Sequence, residues 1–173
     1  MKYLVMSDIH GVYKYAMEID NIVKRENPNE IILLGDIYYH GLNPDLNQES
    51  MKVYYLLDKY KDIIRSTIGN CDRDTDILMS NFEFQNYLNI TIHGKKFFFN
   101  HGHLFDYNDV NCDYYVFGHL HTGFIRKYGN KYIINTGSLS LPRGGTKHSY
   151  LIIDEDKIQL KDINGSIISE INM

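Results

Sequence analysis

Two residues at the end of the first apolar run, Asp8 and His10, are of a kind that binds a divalent cation. They fall in Ser7-Asp8-Ile9-His10-Gly11, directly after Lys2-Tyr3-Leu4-Val5-Met6, which reads as a short buried strand. A carboxylate and an imidazole two positions apart on an extended backbone point the same way. Mixed oxygen and nitrogen donors of this sort suit zinc and neighbouring transition metals. Taken alone, the segment equally reads as a turn in which Asp8 caps the next helix. Four further apolar runs end in the same residue types: Leu34-Gly35-Asp36, Ile68-Gly69-Asn70-Cys71-Asp72, Asn100-His101-Gly102-His103 and Gly118-His119-Leu120-His121. Singly, Asp36 is a turn cap and His119 or His121 an ordinary imidazole. Together, five of the eight histidines (10, 101, 103, 119 and 121) follow predicted strands. Ligands gather at the carboxyl ends of strands in open α/β sheets, so one common site is geometrically sound.

The elements that must position these residues follow from periodicity. Tyr15, Ile19, Ile22 and Val23 recur at helical spacing and predict a helix over 12–26. It ends at Asn27-Pro28, because the residue before proline avoids the helical region. Ile31-Ile32-Leu33-Leu34 is a continuous apolar run, as in a strand buried on both faces. Strand, helix and strand in succession make a βαβ unit with parallel strands. A loop over 38–49, with Gly41 and Pro44, precedes a second helix marked by Val53, Leu56, Leu57 and Tyr60, and 63–68 returns as a strand. Beyond Asp76 the pattern changes to hairpins. Strands are predicted over 90–92 and 96–99 around Gly94-Lys95, over 114–117, and over 124–128 and 131–134 around Gly129-Asn130. Strands over 149–153, 158–162 and 167–171 complete the chain. The class is α/β: one domain spanning 1–173, with two sheets packed face to face. Val5, Leu33, Ile64, Phe98, Val116 and Ile134 are expected between them.

Composition narrows the function. With 173 residues, 43% of them hydrophobic and 23% charged, the chain has material for one sizeable globular core. A net charge of −4 argues against a nucleic-acid surface, where a basic stripe is expected. The first apolar run is too short for a secretory signal, and no run has the length of a membrane span. Cys71 and Cys112 are too few and too far apart for a disulfide framework. A cytoplasmic protein with reduced thiols and no membrane contact is expected, and a homo-oligomer is left open.

The five segments, in this order between Lys2 and Tyr150, resemble the calcineurin-like metallophosphoesterases, and within them the small single-domain YfcE-type phosphodiesterases. Elsewhere in that superfamily a histidine follows Gly-Asn in the third segment. Here Cys71 stands there, as in the YfcE-type branch. The resemblance implies a four-layer αββα sandwich of two mixed β-sheets flanked by helices. It implies one ion held by Asp8, His10, Asp36 and His121, and a second by Asp36, Asn70, His101 and His119, with Asp36 bridging. Ions sharing a carboxylate sit about 3.5–4 Å apart and clamp a phosphate. Mn2+ is the expected ion, while Ni2+, Co2+, Zn2+ or iron also suit the donors. The implied activity is hydrolysis of a small phosphodiester by a metal-bridging hydroxide, with Asn70 and His103 acting on the phosphate.

The remaining candidates carry alternatives. His103 contacts substrate or delivers a proton, or else packs against Phe105. Cys71 is a small buried residue or a catalytic thiol, and Asp72 orients a ligand or meets substrate. Arg143 pairs with phosphate through its planar fork or bonds loop carbonyls. Asn135-Thr136-Gly137-Ser138 resembles the family segment that shapes the loop behind the metal-binding histidines. His40 lies on a loop within reach of substrate; His93 and His148 are ordinary imidazoles. A rival from another class is a non-catalytic protein-binding scaffold of the same fold, like the phosphoesterase-like retromer subunit. That subunit departs at ligand positions that are filled here.

Overall fold

The computed structural model describes every residue except His40, Pro44 and Leu46, so the expectations for His40 and Pro44 lie outside the described residues. Strand β1 (Tyr3–Met6) leads into helices α1 (Tyr13–Ala16) and α2 (Glu18–Glu26), then strand β2 (Glu30–Leu33). Two short helices thus stand where one was expected, hinged at Met17. Helix α2 buries Ile19, Ile22 and Glu26, three positions of one helical face, and ends on Asn27 at φ 48°. Helix α3 (Gln48–Asp58) starts where the Asn47 side chain accepts the Ser50 N–H at 3.2 Å. Strand β3 (Ile64–Thr67) pairs with β2, in parallel, as β2 does with β1.

Helix α4 (Asp74–Met79) and strand β4 (Phe84–Gln85) had no counterpart in the sequence reading. One is six residues long and the other two, too short for either period to register. The second sheet follows: β5 (Tyr87–Ile92), β6 (Lys95–Asn100), β7 (Tyr114–Phe117), β8 (Phe124–Tyr128) and β9 (Lys131–Asn135). It is not built of hairpins alone. Strands β6, β7 and β9 run parallel, and only β5 and β8 fold back as antiparallel neighbours. The β5–β6 turn centres on His93-Gly94, one residue before the expected position. Strands β10 (Ser149–Asp154), β11 (Lys157–Asp162) and β12 (Ile167–Asn172) return to the first sheet, where β10 pairs antiparallel with β1.

The result is a seven-stranded sheet in the order β12-β11-β10-β1-β2-β3-β4, facing a five-stranded sheet in the order β5-β6-β7-β9-β8. Val5, Ile32, Leu34 and Leu151 meet Phe97, Phe99, Val116 and Ile134 between the sheets. Leu4, Met6, Leu33, Ile64 and Ile152 turn the other way, onto Ile19, Ile22, Val53 and Leu57 of the helices. Phe98, Tyr115 and Ile133 occupy the outer face of the second sheet, under Phe105, Tyr107 and Val110. This fourth layer is the irregular segment 101–113 rather than a helix. All six predicted core residues are buried, but Leu33 and Ile64 face the helices and Phe98 the outer layer. Strands buried on both faces carry no alternation from which a side can be read.

Leu33→Ala and Ile134→Ala, in two different layers, are each expected to cost about 2–5 kcal/mol of stability. Urea unfolding checks this, and unchanged midpoints would contradict the layer assignment. Among the described residues no helix is long and apolar enough to cross a membrane.

Candidate metal centre

Three of the strands that feed the candidate site, β1, β2 and β7, stop abruptly, and the residues after them that should bind a cation take a backbone shape few side chains adopt. Asp8, His10, Asp36, His119 and His121 all have φ between 50° and 63°. They are five of the seven non-glycine residues with positive φ among those described. The extended backbone expected across Asp8 and His10 is therefore absent. Left-handed turns, not strand alternation, bring the two side chains together. Each such residue costs of order 1–3 kcal/mol and persists only where its surroundings impose it.

Those surroundings are visible. His10 and Gly11 donate their N–H groups to the carbonyls of Asp36 and Ile37 at 2.8 and 2.9 Å, locking the first loop to the second. The hydroxyls of Ser138 and Ser140 donate to the Asp8 carbonyl at 2.7 and 2.9 Å. Asp8 Oδ2 accepts the His119 N–H at 2.9 Å, and the Asn135 amide donates to Gly118 O. The second and third loops cross so closely that a Cβ on Gly69 would lie 2.2 Å from the Asp36 nitrogen.

The side chains converge in two overlapping groups. In the first, His121 Nε2 lies 3.2 Å from Asp8 Oδ1 and 3.1 Å from His10 Nε2, while His10 Nε2 lies 3.6 Å from Asp36 Oδ2. In the second, His101 Nε2 lies 3.4 Å from Asp36 Oδ2, 3.0 Å from Asn70 Oδ1 and 3.2 Å from His119 Nδ1. Asp36 belongs to both. Asp8, His10, Asp36, His101 and His121 are buried, His119 is half-buried, and Asn70 is exposed at the rim.

The tautomers decide what such a cluster wants. His101 Nδ1 sits 2.6 Å from Leu34 O, and His121 Nδ1 sits 2.7 Å from Leu141 O. A carbonyl only accepts, so both Nδ1 atoms carry the hydrogen and both neutral rings present a bare Nε2. Those lone pairs face carboxylate and amide oxygens, which are also acceptors. Asp8 Oδ1 is buried with no hydrogen-bond partner among the described residues. Acceptors crowded against acceptors are satisfied by a cation, and the donor set of imidazole, carboxylate and amide fits divalent transition metals.

In the bare protein the same crowding favours protons. The Asp8 hydrogen bond raises the His121 pKa against burial. Burial opposes ionisation of His101, but the Asp36 hydrogen bond and the charges of Asp8 and Asp36 win and raise its pKa. Burial lowers those of His10 and His119. Burial also disfavours the Asp36 carboxylate, yet His101, the Cys71 N–H and His10 hold its pKa far below the ordinary value.

A model of the calcineurin-like phosphoesterase superfamily domain matches residues 1–157. The chain belongs to the calcineurin-like phosphoesterase superfamily. It is 27% identical to phosphodiesterase YfcE of Escherichia coli strain K12, over 99% of this chain and 97% of that protein. To the probable metallophosphoesterase YsnB of Bacillus subtilis strain 168 it is 26% identical, over 99% and 96%. The solved structure of YfcE from E. coli matches with a TM-score of 0.90, covering 99% of both chains. Vacuolar protein sorting 29 from Cryptosporidium parvum, 17% identical with a TM-score of 0.68 over 99% and 98% of the chains, shares the fold.

In this calcineurin-like phosphoesterase the other candidates sort by contact. Both Asp72 oxygens are taken up by backbone: Oδ2 accepts from Asp36 N and Gly69 N at 2.9 and 2.7 Å, and Oδ1 from Ile37 N at 2.9 Å. Asp72 therefore braces the backbone of Asp36 and its neighbours. Burial pushes its carboxyl up to about 6 despite those three donors. Asp72→Ala would orphan three N–H groups and is expected to weaken metal binding about 10–100-fold. Metal titration of the variant checks this, and wild-type affinity would contradict it.

His103 is exposed and its ring lies 5.3 Å from that of His101 and 6.3 Å from that of His119, so it faces the site. Arg143 is exposed, and its N–H donates to His121 O at 2.8 Å. His148 stacks on Tyr15 at 4.0 Å, outside the cluster. Two features escaped the sequence reading. Ser140 bonds the carbonyls of Asp8 and Ile9 from 132 and 131 residues away, which no local pattern signals. The Tyr39 ring meets His10 edge-on at 6.0 Å.

Proposed function

We propose that this phosphoesterase hydrolyses small phosphodiesters with two divalent cations, Mn2+ being the expected pair. The observation that carries the reading is the meeting of bare His101 and His121 Nε2 atoms with the oxygens of Asp8, Asp36 and Asn70. The 27% identity to a phosphodiesterase over nearly the whole chain supports it independently. On this reading Asp8, His10, Asp36 and His121 hold one ion, and Asp36, Asn70, His101 and His119 the other. A bound pair of such ions polarises phosphate and makes water nucleophilic at neutral pH.

The chain's own part is positioning. Asp36, braced by Asp72 and by the Cys71 N–H, keeps one carboxylate between the two groups. Asn70 offers its oxygen inward while its NH2, now 3.3 Å from Cys71 Sγ, remains able to donate to a phosphate oxygen. His103 stands beside the cluster and open to solvent, placed to move a proton or bond the ester. A net charge of −4 fits a small substrate better than a nucleic acid.

The scaffold reading draws on the fold shared with vacuolar protein sorting 29, whereas the complete donor set supports catalysis. Exhaustive chelation should abolish diester hydrolysis, and added Mn2+ should restore it. Diester hydrolysis that survives chelation in a protein shown metal-free by elemental analysis would refute the proposal.

A further inference from the structure

Three leucines, Leu104, Leu120 and Leu141, stand exposed around the candidate centre. Leu120 sits between His119 and His121, Leu104 follows His101 by three residues, and the Leu141 carbonyl lies 2.7 Å from His121 Nδ1. Large apolar side chains grouped at the edge of a polar centre mark a ligand-binding face. Leu120 also lines a cavity of about 280 Å³ on the outer face of the second sheet, together with Phe117, Phe124 and Tyr107. Phe117 joins this cavity to the centre from a second side. A Cβ on Gly102, between His101 and His103, would lie 2.6 Å from Phe117 Cδ2. The cavity thus borders the loops of His101 and His119, which belong to the same group of donors.

Size and chemistry select the occupant. The volume is just below the roughly 300–1,000 Å³ of pockets for drug-sized ligands, so one ring system fits and a long acyl chain does not. Phe117 and Phe124 meet edge to face, 6.1 Å apart at 73°, and offer a flat ligand both a ring face and a ring edge. The Arg126 guanidinium lies 4.6 Å over the Phe124 ring, and such a planar cation stacks on aromatic faces. Arg126 and Lys127 are exposed at the cavity, positive charges suited to a ligand that carries phosphate.

We infer that this cavity seats one ester group of the substrate, and that the group is a planar aromatic ring. The inference rests on the phosphodiesterase reading and adds a substrate class to it. The phosphate lies at the metal centre, and the ring lies on Phe124 beside Arg126.

The test compares 1-naphthylmethylphosphonate with methylphosphonate, whose C–P bonds resist hydrolysis. Both are titrated by calorimetry into Mn2+-saturated wild type, Phe124→Ala and Arg126→Gln. Wild type should prefer the naphthyl ligand at least about tenfold, the worth of one good stacking contact. Phe124→Ala should erase that preference and Arg126→Gln should cut it about threefold, with methylphosphonate bound alike by all three. KM for bis-p-nitrophenyl phosphate should rise by matching factors. Arg126 is exposed, so its variant decides the matter if Phe124→Ala fails to fold. Equal affinity of wild type for the two phosphonates, no binding of the naphthyl ligand, or a preference intact in the folded variants overturns the inference. A preference that the variants lose, in a protein that hydrolyses no diester, would keep the aromatic site and remove the phosphodiesterase reading. Diester hydrolysis without the preference would do the reverse.

Discussion

Asp36→Asn should lose both cations and at least about a thousandfold in kcat/KM toward a diester, ~4 kcal/mol of barrier. The reason is geometric and electrostatic together. Asp36 Oδ2 lies 3.6 Å from His10 Nε2 and 3.4 Å from His101 Nε2, one in each group of donors. Its other oxygen accepts the Cys71 N–H, a bond that asparagine can keep. The fold should therefore survive. What changes is the charge, and with it the NH2 that asparagine can turn toward the bare imidazole nitrogens. That donor would satisfy the lone pairs the ions are meant to satisfy. His10→Ala should behave differently, because His10 Nε2 sits with His121 and Asp8, 3.1 and 3.8 Å away. It should deplete one ion more than the other. Elemental analysis of both variants after dialysis separates the cases. An Asp36→Asn protein that drops one ion and holds the other as tightly as wild type would contradict a shared carboxylate.

Cys71→His should raise hydrolysis of phosphate monoesters about 10²–10⁴-fold, the usual worth of a proton delivered to a departing oxygen. Monoesters of ordinary alcohols leave as poor alkoxides and need that proton. The Cys71 thiol is badly suited to give it. Burial, followed by the charge of Asp36, pushes its pKa up to about 11, and sulfur donates weak hydrogen bonds. Wild type should accordingly prefer activated diesters such as bis-p-nitrophenyl phosphate, whose leaving group needs little help. Cys71→Ala should keep diester hydrolysis with Mn2+ within about tenfold, ~1.4 kcal/mol of barrier. The check is kcat/KM on one diester and one monoester for the three proteins, with metal content measured in each. A diester loss near a thousandfold in Cys71→Ala, both ions still bound, would make the thiol catalytic.

The chemistry was more legible in the sequence than the shape that delivers it. Residue type alone carries most of the donor set, because carboxylate, imidazole and amide mean the same thing wherever the chain places them. Asp8, His10, Asp36, Asn70, His101, His119 and His121 do come together. How they do so was not readable. A left-handed backbone at Asp8 or His121 is imposed by partners such as Ser138 Oγ and Arg143 N, which are distant in the chain. The same distance hid Ser140. Asp72 reads from the sequence either as orienting a ligand or as meeting substrate, because residue type does not separate the two; only the fold reveals three backbone donors around it.

Strands posed a related problem. Phe97-Phe98-Phe99 is apolar throughout, since Phe97 and Phe99 pack between the sheets while Phe98 packs under Phe105. Period two vanishes when both faces are buried. The parallel pairing of β7 with β6 and β9 is equally invisible locally, because hairpin turns announce only neighbours in sequence.

Adding Mn2+ stepwise to metal-free protein while following hydrolysis of bis-p-nitrophenyl phosphate tests the two-ion account most directly. Two equivalents per chain should be needed, with the rate rising chiefly on the second. Full activity at zero or one equivalent, with the bound metal verified by elemental analysis, would contradict it.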